Sequence, residues 1–312
     1  MAPSRPMAHA PVVVTSARYQ CDIGPHVFPV GKYGLILKRL LAEGAVTPAD
    51  VLEPALPSRE DLALVHISAY LDDLEQLNYG PRTWPSELPL TRDIATAYAL
   101  AAGGTTLAAR HALDCLATVH LGGGFHHAFA EHAEGFCYVN DLAVAIRVLQ
   151  REKLIGRAAV VDLDVHQGNG TAHIFEHDDS VFTLSIHQEA NYPSPKMTSN
   201  LDIGLADGVE DTEYLHRLDE ALEAVWNSKP ELVLYQAGAD PYRDDQLGGL
   251  SLTVDGLEAR DRRVLEGCAR RGIPSVVTLG GGYARRVEDT VEIHTRTARV
   301  AIGLSLNREA RA

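Results

Sequence analysis

The chain has 312 residues, 46% of them hydrophobic, and a formal net charge of −14. This apolar fraction is enough for a sizeable core and excludes a disordered chain. The acidic balance argues against broad nucleic-acid affinity. No apolar run approaches the ~20 residues that span a bilayer. The opening "MAPSRPMAHAPVVVT" lacks the apolar stretch of a secretory signal. Cys21, Cys115, Cys137 and Cys268 are scattered, with no CxxC pair. Reduced thiols in a cytoplasmic protein are therefore expected, with no disulfide framework and no structural zinc site.

In chain order, "PVVVT" (11–15) reads as a buried strand, preceded by a flexible N-terminus over residues 1–10. "GKYGLILKRLLAEG" (31–44) has helical periodicity and a glycine stop. "SRED" (58–61) is a capping box opening a short helix. Residues 71–91, punctuated by Gly80-Pro81, Pro85 and Pro89, are predicted as a long loop around a pocket. A helix is predicted over 92–113. Strands at 115–121, 158–164, 180–187, 231–238 and 273–282 then alternate with helices at 140–153, 170–176, 211–229, 255–272 and 285–304. That alternation implies a parallel sheet with helices on both faces. No repeat or linker divides the chain, so residues 1–312 read as one catalytic domain.

The polar residues gather at predicted strand ends, where open parallel sheets keep their ligands. "GGGFHHAF" follows the strand at 115–121 and carries His126 and His127. "VDLDVHQGNG" carries Asp162, Asp164 and His166; on a continuing strand these alternate residues share a face. "QAGADP" carries Asp240, and "LGGGY" ends in Tyr283. Buried carboxylates need a positive partner. Asp164, His166 and Asp240 would give one divalent metal three ligands and leave a position open. His126 and His127 would move protons, and Tyr283 would donate to a developing oxyanion. Each motif alone has a plainer reading: a turn, a helix cap, a satisfied polar histidine. Their coincidence on one sheet edge points to metal-assisted amide hydrolysis.

Taken together, "GGGFHHA", "GFCYVND", "VDLDVHQGNGT", "QAGADP" and "LGGGY" resemble, in order and spacing, the histone deacetylase family. The resemblance runs from about residue 12 to 303. "HVFPVGKYGLI" (26–36) is most similar to the class IV branch and its bacterial relatives. The resemblance implies a three-layer α/β/α fold of the arginase/deacetylase type, with a central parallel sheet of about eight strands. It implies zinc on Asp164, His166 and Asp240, a donor set that also admits Fe2+. It implies a buttress from Asp162 to His126, general acid–base work by His127, and a carbonyl-polarising Tyr283. Gly135, Phe136, Gly281 and Gly282 would border an acyl-lysine channel. Tyr192, in "IHQEANYPSP", would stand where the family commonly has phenylalanine. Structural potassium would sit on the backbone carbonyls of Asp162, Asp164 and His166 with Ser185 and Ile186. A second potassium would lie near Phe175 and Val181.

One departure is chemical. Larger branches of the family carry an aspartate behind the second histidine, and this chain has Asn169. An amide orients an imidazole but does not stabilise its cation as a carboxylate would. The His127 pKa is therefore expected to lie below that of an Asn169→Asp variant. No match is found for the rim aspartate that grips substrate backbone in some family members. The expected activity is deacylation of acyl-lysine in peptides or proteins. An acetylpolyamine amidohydrolase would use the same chemistry on a small cationic substrate. An arginase would need two manganese ions, which the single DxDxH set and Tyr283 disfavour. A binding protein that had lost catalysis would not need a competent residue at every proposed position. No direct nucleic-acid or membrane partner is expected, and the oligomeric state is left open.

Overall fold

The structure, a computed structural model, describes residues 12–309. The N-terminal expectation for residues 1–10 lies outside them. The strands are β1 (Val13–Val14), β2 (Val51–Leu52), β3 (Ala117–His120), β4 (Ala158–Asp162), β5 (Val181–Gln188), β6 (Leu201–Leu205), β7 (Leu232–Gln236) and β8 (Ser275–Thr278). They form one sheet in the order β2-β1-β3-β8-β7-β4-β5-β6, with every pairing parallel. The helices are α1 (Lys32–Ala42), α2 (Arg59–Leu62), α3 (Ser68–Gln76), α4 (Arg92–Cys115), α5 (Asp141–Arg151), α6 (Asn169–Phe175), α7 (Asp211–Asn227), α8 (Val254–Arg271) and α9 (Val287–Glu309).

The layering follows from side-chain alternation. Ala159 and Val161 of β4, with Val233 and Tyr235 of β7, join a core shared with Leu218 of α7, Leu257 of α8 and Ile293 of α9. Ala158, Val160, Leu232 and Leu234, one residue out of phase, join a second core with Ala108 of α4 and Ile146 of α5. Neighbouring residues thus feed opposite faces, and both faces are covered. The result is a three-layer α/β/α architecture around an eight-stranded parallel sheet, as the resemblance implied. No helix among the described residues is long and apolar enough to cross a membrane.

The structure differs from the sequence reading in four places. The predicted loop at 71–91 begins as helix α3, because Tyr70, Leu71 and Leu74 recur at helical spacing and are buried. Only from Gly80 onward do the glycine and prolines take over. Strand β2 is two residues long, and β6 (LDIGL) lies at the sheet edge with alternating exposure, so neither gives an apolar run. Helix α4 continues through Cys115, displacing the start of β3. Finally, β4 stops at Asp162. Asp162, Asp164 and His166 therefore do not share one strand face; the chain turns, sending Asp162 to His126 while Asp164 and His166 converge with Asp240.

Candidate active site

Strands β3, β8, β7 and β4 are neighbours, and the turns beyond their C-terminal ends carry the reactive residues. Asp164, His166 and Asp240 offer ligand atoms that all lie within 4.8 Å of one another. His166 Nδ1 is 3.0 Å from Asp164 Oδ1 and 3.4 Å from Asp240 Oδ2. Backbone donors hold the carboxylates: Gly281 N–H donates to Asp164 Oδ2 at 3.0 Å, and Val165 N–H to Asp240 Oδ1 at 3.0 Å. A Cβ on Gly281 would run into both carboxylates, so the close approach requires glycine.

The three groups fit a divalent cation. All are buried, and Asp240 Oδ2 makes no hydrogen bond. Burial and the adjacent Asp164 push the Asp240 carboxyl up to about 7. Burial opposes charge on His166, but the two carboxylates outweigh it and hold the ring at about 10. A buried carboxylate pair with one orphaned oxygen calls for positive charge, and Asp₂His is a donor set for zinc or iron.

The two histidines are tuned apart. His126 Nδ1 lies 2.6 Å from Asp162 Oδ2. Burial works against its cation, yet Asp162 and Asp164 raise it to about 9. His127 Nδ1 lies 2.7 Å from Asn169 Oδ1. Burial, and then the charges of His126 and His166, hold His127 well below the usual imidazole value. Neutral His127 donating Nδ1–H to the amide keeps a lone pair on Nε2. Tyr283 is buried, its N–H donating to Asp245 Oδ2 at 2.7 Å. Burial and the nearby Asp240 and Asp164 push its phenol well above the usual value, so it remains an O–H donor.

A channel of about 180 Å³ leads to this cluster. His127, His166 and Tyr283 form its buried end; Phe136, Tyr192 and Leu247 form its walls; exposed Glu87 lies at the mouth. Gly135 and Phe136 have φ of 49° and 64°. A Cβ on Gly135 would meet the His127 ring at 2.7 Å. For Phe136 the left-handed conformation is strained, and it is held by its neighbours. Tyr98 O–H donates to its carbonyl at 2.6 Å, and its N–H donates to Ser86 O at 2.9 Å. The segment predicted as a pocket rim thus pins the channel wall. Tyr192 sets its ring edge-on to His127, with centroids 5.0 Å apart. Gly281 and Gly282 pack behind the triad rather than along the channel. Asp162 and Ser185 are register neighbours in β4 and β5, followed by Ile186, while Phe175 ends α6 and Val181 begins β5.

Sequence reasoning missed Lys32, Glu87, Glu134 and Arg260. Lys32 is fully buried and donates to the carbonyls of Gly280 and Gly281. Burial lowers its ammonium to about 8, although Asp240 and Asp164 favour the charge. Arg260 Nη1 donates to Leu163 O at 3.1 Å and Gly238 O at 2.7 Å, bracing the turns that carry Asp164 and Asp240. A signal existed for both: Lys32 shares the stripe of Ile36 and Leu40, and Arg260 that of Leu257 and Val264. A charge on an apolar stripe marks a buried ion.

The sheet, the metal-fitting triad and the buttressed histidines define a hydrolase of the arginase/deacetylase fold. A family model for the histone deacetylase domain matches residues 26–298, and the chain belongs to the histone deacetylase family. An uncharacterized protein of Picosynechococcus is 42% identical over 88% of this chain and 93% of its own length. Histone deacetylase 2 of Arabidopsis thaliana is 33% identical over 86% of this chain and 73% of its own. Histone deacetylase 8 of Xenopus tropicalis is 30% identical over 96% and 86%. The crystal structure of an HDAC homolog complexed with SAHA superposes with a TM-score of 0.80 at 26% identity, covering 94% of this chain and 83% of that one.

Proposed function

We propose that this protein is a zinc-dependent lysine deacylase acting on acyl-lysine in peptides or proteins. The observation that carries the reading is one convergence. His166 of the triad, His127 with its free Nε2, and Tyr283 line the buried end of a narrow, apolar-walled channel. Such a channel suits an extended alkyl chain ending in an amide. Zinc on Asp164, His166 and Asp240, or Fe2+ in its place, would supply Lewis acidity and lower the pKa of water to roughly 7. His127 Nε2 takes the proton of the attacking water and later returns it to the departing amine. Tyr283 donates to the carbonyl oxygen as charge develops there. His126 stays fixed by Asp162.

A structural potassium on the carbonyls of Asp162, Asp164 and His166 with Ser185 and Ile186 belongs to the same proposal, supported by the pairing of Asp162 with Ser185. The class IV-like branch is supported by "HVFPVGKYGLI". A cytoplasmic setting accords with four free thiols. Glu87 at the mouth favours a cationic substrate and so keeps an acylated polyamine as the second reading. The test is metal-loaded protein against one lysine peptide acylated from acetyl to myristoyl, with acetylated polyamine alongside. Turnover within the lysine series is expected. Turnover of the polyamine alone would transfer the assignment to a small-molecule amidohydrolase. Silence on every substrate at full metal occupancy would overturn it.

A further inference from the structure

His126 is backed by a carboxylate, His127 by an amide, and an amide alone does not fix a histidine tautomer. The two ends of the Asn169 amide exchange by a half-turn about a soft torsion. With Oδ1 toward His127, the ring carries its proton on Nδ1 and keeps the Nε2 lone pair. With Nδ2 toward His127, Nδ1 must accept, the proton moves to Nε2, and the base is lost.

Glu134 decides between the two. Its Oε1 accepts from Asn169 Nδ2 at 2.6 Å and from the Tyr192 hydroxyl at 2.8 Å. Its Oε2 faces His132 Nε2 at 3.3 Å. Burial disfavours its charge, but hydrogen bonds from His132, Tyr192 and Asn169 outweigh this and hold it below the usual carboxylate range. An ionised carboxylate has no hydrogen to give, so Asn169 must turn its amino group to Glu134 and its oxygen to His127. The backbone fixes Glu134 in place: its N–H donates to Cys137 O at 3.1 Å, and Cys137 N–H returns the bond at 2.9 Å. Residue 135 of the same turn is the channel-wall glycine.

We infer that Glu134 is a positioning residue: it orients the Asn169 amide, keeps the His127 proton on Nδ1, and through Tyr192 ties that setting to the channel wall. The inference rests on the reading of His127 as the base. It also changes the expectation for Asn169→Asp. That variant would set two carboxylates face to face.

The test uses zinc-loaded protein with ¹⁵N-labelled histidine, in which NMR reads the protonated ring nitrogen directly. The His127 signal is assigned by its loss in His127→Gln. The wild type is expected to show Nδ1–H alone. Glu134→Gln is nearly isosteric, but two facing amides bond in either sense. It is therefore expected to mix the tautomers and lower kcat roughly two- to tenfold with KM little changed. Asn169→Asp alone is expected to lose more. Glu134→Gln combined with Asn169→Asp exchanges acid and amide. The carboxylate now at position 169 accepts from both neighbours, and the amino group now at position 134 donates one hydrogen to it and the other to the Tyr192 oxygen. This double variant is expected to regain a single Nδ1–H tautomer and to exceed both single variants in kcat. An unmixed Nδ1–H signal in Glu134→Gln, or a double variant that does not regain a single Nδ1–H signal, would overturn the inference. The NMR readout needs no substrate, so silence in the activity assay bears only on the deacylase reading.

Discussion

His126 Nδ1 and Asp162 Oδ2 are 2.6 Å apart, both buried, forming a charged pair directly beside an uncharged one. The His126 and His127 rings lie 4.1 Å apart, yet the first is raised to about 9 and the second held well below its usual value. Burial acts on both; the carboxylate makes the difference. Asp162→Asn removes the anion that holds the His126 proton. In the variant His126 loses its charge at lower pH, and His127 loses the neighbour that depresses it. The acid limb of the kcat/KM profile, where the His127 base becomes protonated, is expected to move up. A limb in the wild-type position would show that the pair does not set it.

Tyr283 remains a protonated donor throughout the working range because burial and two nearby carboxylates oppose its ionisation. Tyr283→Phe removes the hydroxyl and keeps the ring against Phe136 and His166. The expected loss in kcat is roughly ten- to a thousandfold, with metal content and melting temperature unchanged. Near-wild-type turnover would exclude the oxyanion role.

The triad predicts opposite effects of metal and of charge removal on stability. A cation bound by the folded state alone raises the melting temperature, so chelation lowers it. Asp240→Asn keeps an acceptor for the Val165 N–H but removes one of two buried carboxylates. This variant is expected to bind metal weakly, and its metal-free form to melt a few degrees above the metal-free wild type. Metal analysis and calorimetry on the four samples decide. Full metal occupancy in Asp240→Asn would contradict the ligand assignment.

Arg260 is buried beside Asp261 and satisfies two carbonyls behind the triad. Arg260→Met strands those carbonyls and leaves Asp261 with only the hydroxyls of Tyr235 and Thr297. A loss of about 3–5 kcal/mol in unfolding free energy is expected, measured by denaturant titration. A change under about 1 kcal/mol would show that the cation is dispensable.

What was legible in the sequence was chemistry at strand ends. Asp164, His166, Asp240, the histidine pair and Tyr283 sit beside glycines that close contact demands, and that pairing of types is visible without coordinates. The two-residue β2 and the edge strand β6 were not legible, because their pairing is set by tertiary contact rather than by an apolar run. Glu134 was hidden for another reason. Next to "GFCYVND" it reads as a solvated acid, and only the fold brings it to Asn169, 35 positions away. Lys32 and Arg260 were visible as charges on apolar stripes, but a stripe does not say which carbonyls the charge will meet.

His66 sets a further, testable pH dependence away from the site. It is 1% exposed. Nδ1 lies 3.0 Å from the Phe129 carbonyl, and Nε2 accepts from the Asn140 N–H at 3.2 Å. Protonation would place a hydrogen on Nε2 against that N–H, inside an apolar layer. Burial accordingly lowers the ring from 6.5 to about 4, despite help from the Phe129 carbonyl. Between these values the unfolded chain binds the proton and the folded one does not. The contribution is therefore complete above about pH 6.5 and is lost as pH falls toward 4. At about 1.36 kcal/mol per unit, this single ring accounts for about 3 kcal/mol. His187, also lowered by burial to about 4, and His120, lowered to about 3, add in the same sense. Denaturant titrations of the metal-loaded protein at about pH 7.5, 6 and 5 are expected to show stability falling steeply with acid. His66→Gln keeps a donor and an acceptor but cannot titrate, so its curve is expected to be flatter by about 1.4 kcal/mol per pH unit within the window. A variant whose pH dependence matches the wild type would show that His66 is already charged in the folded protein.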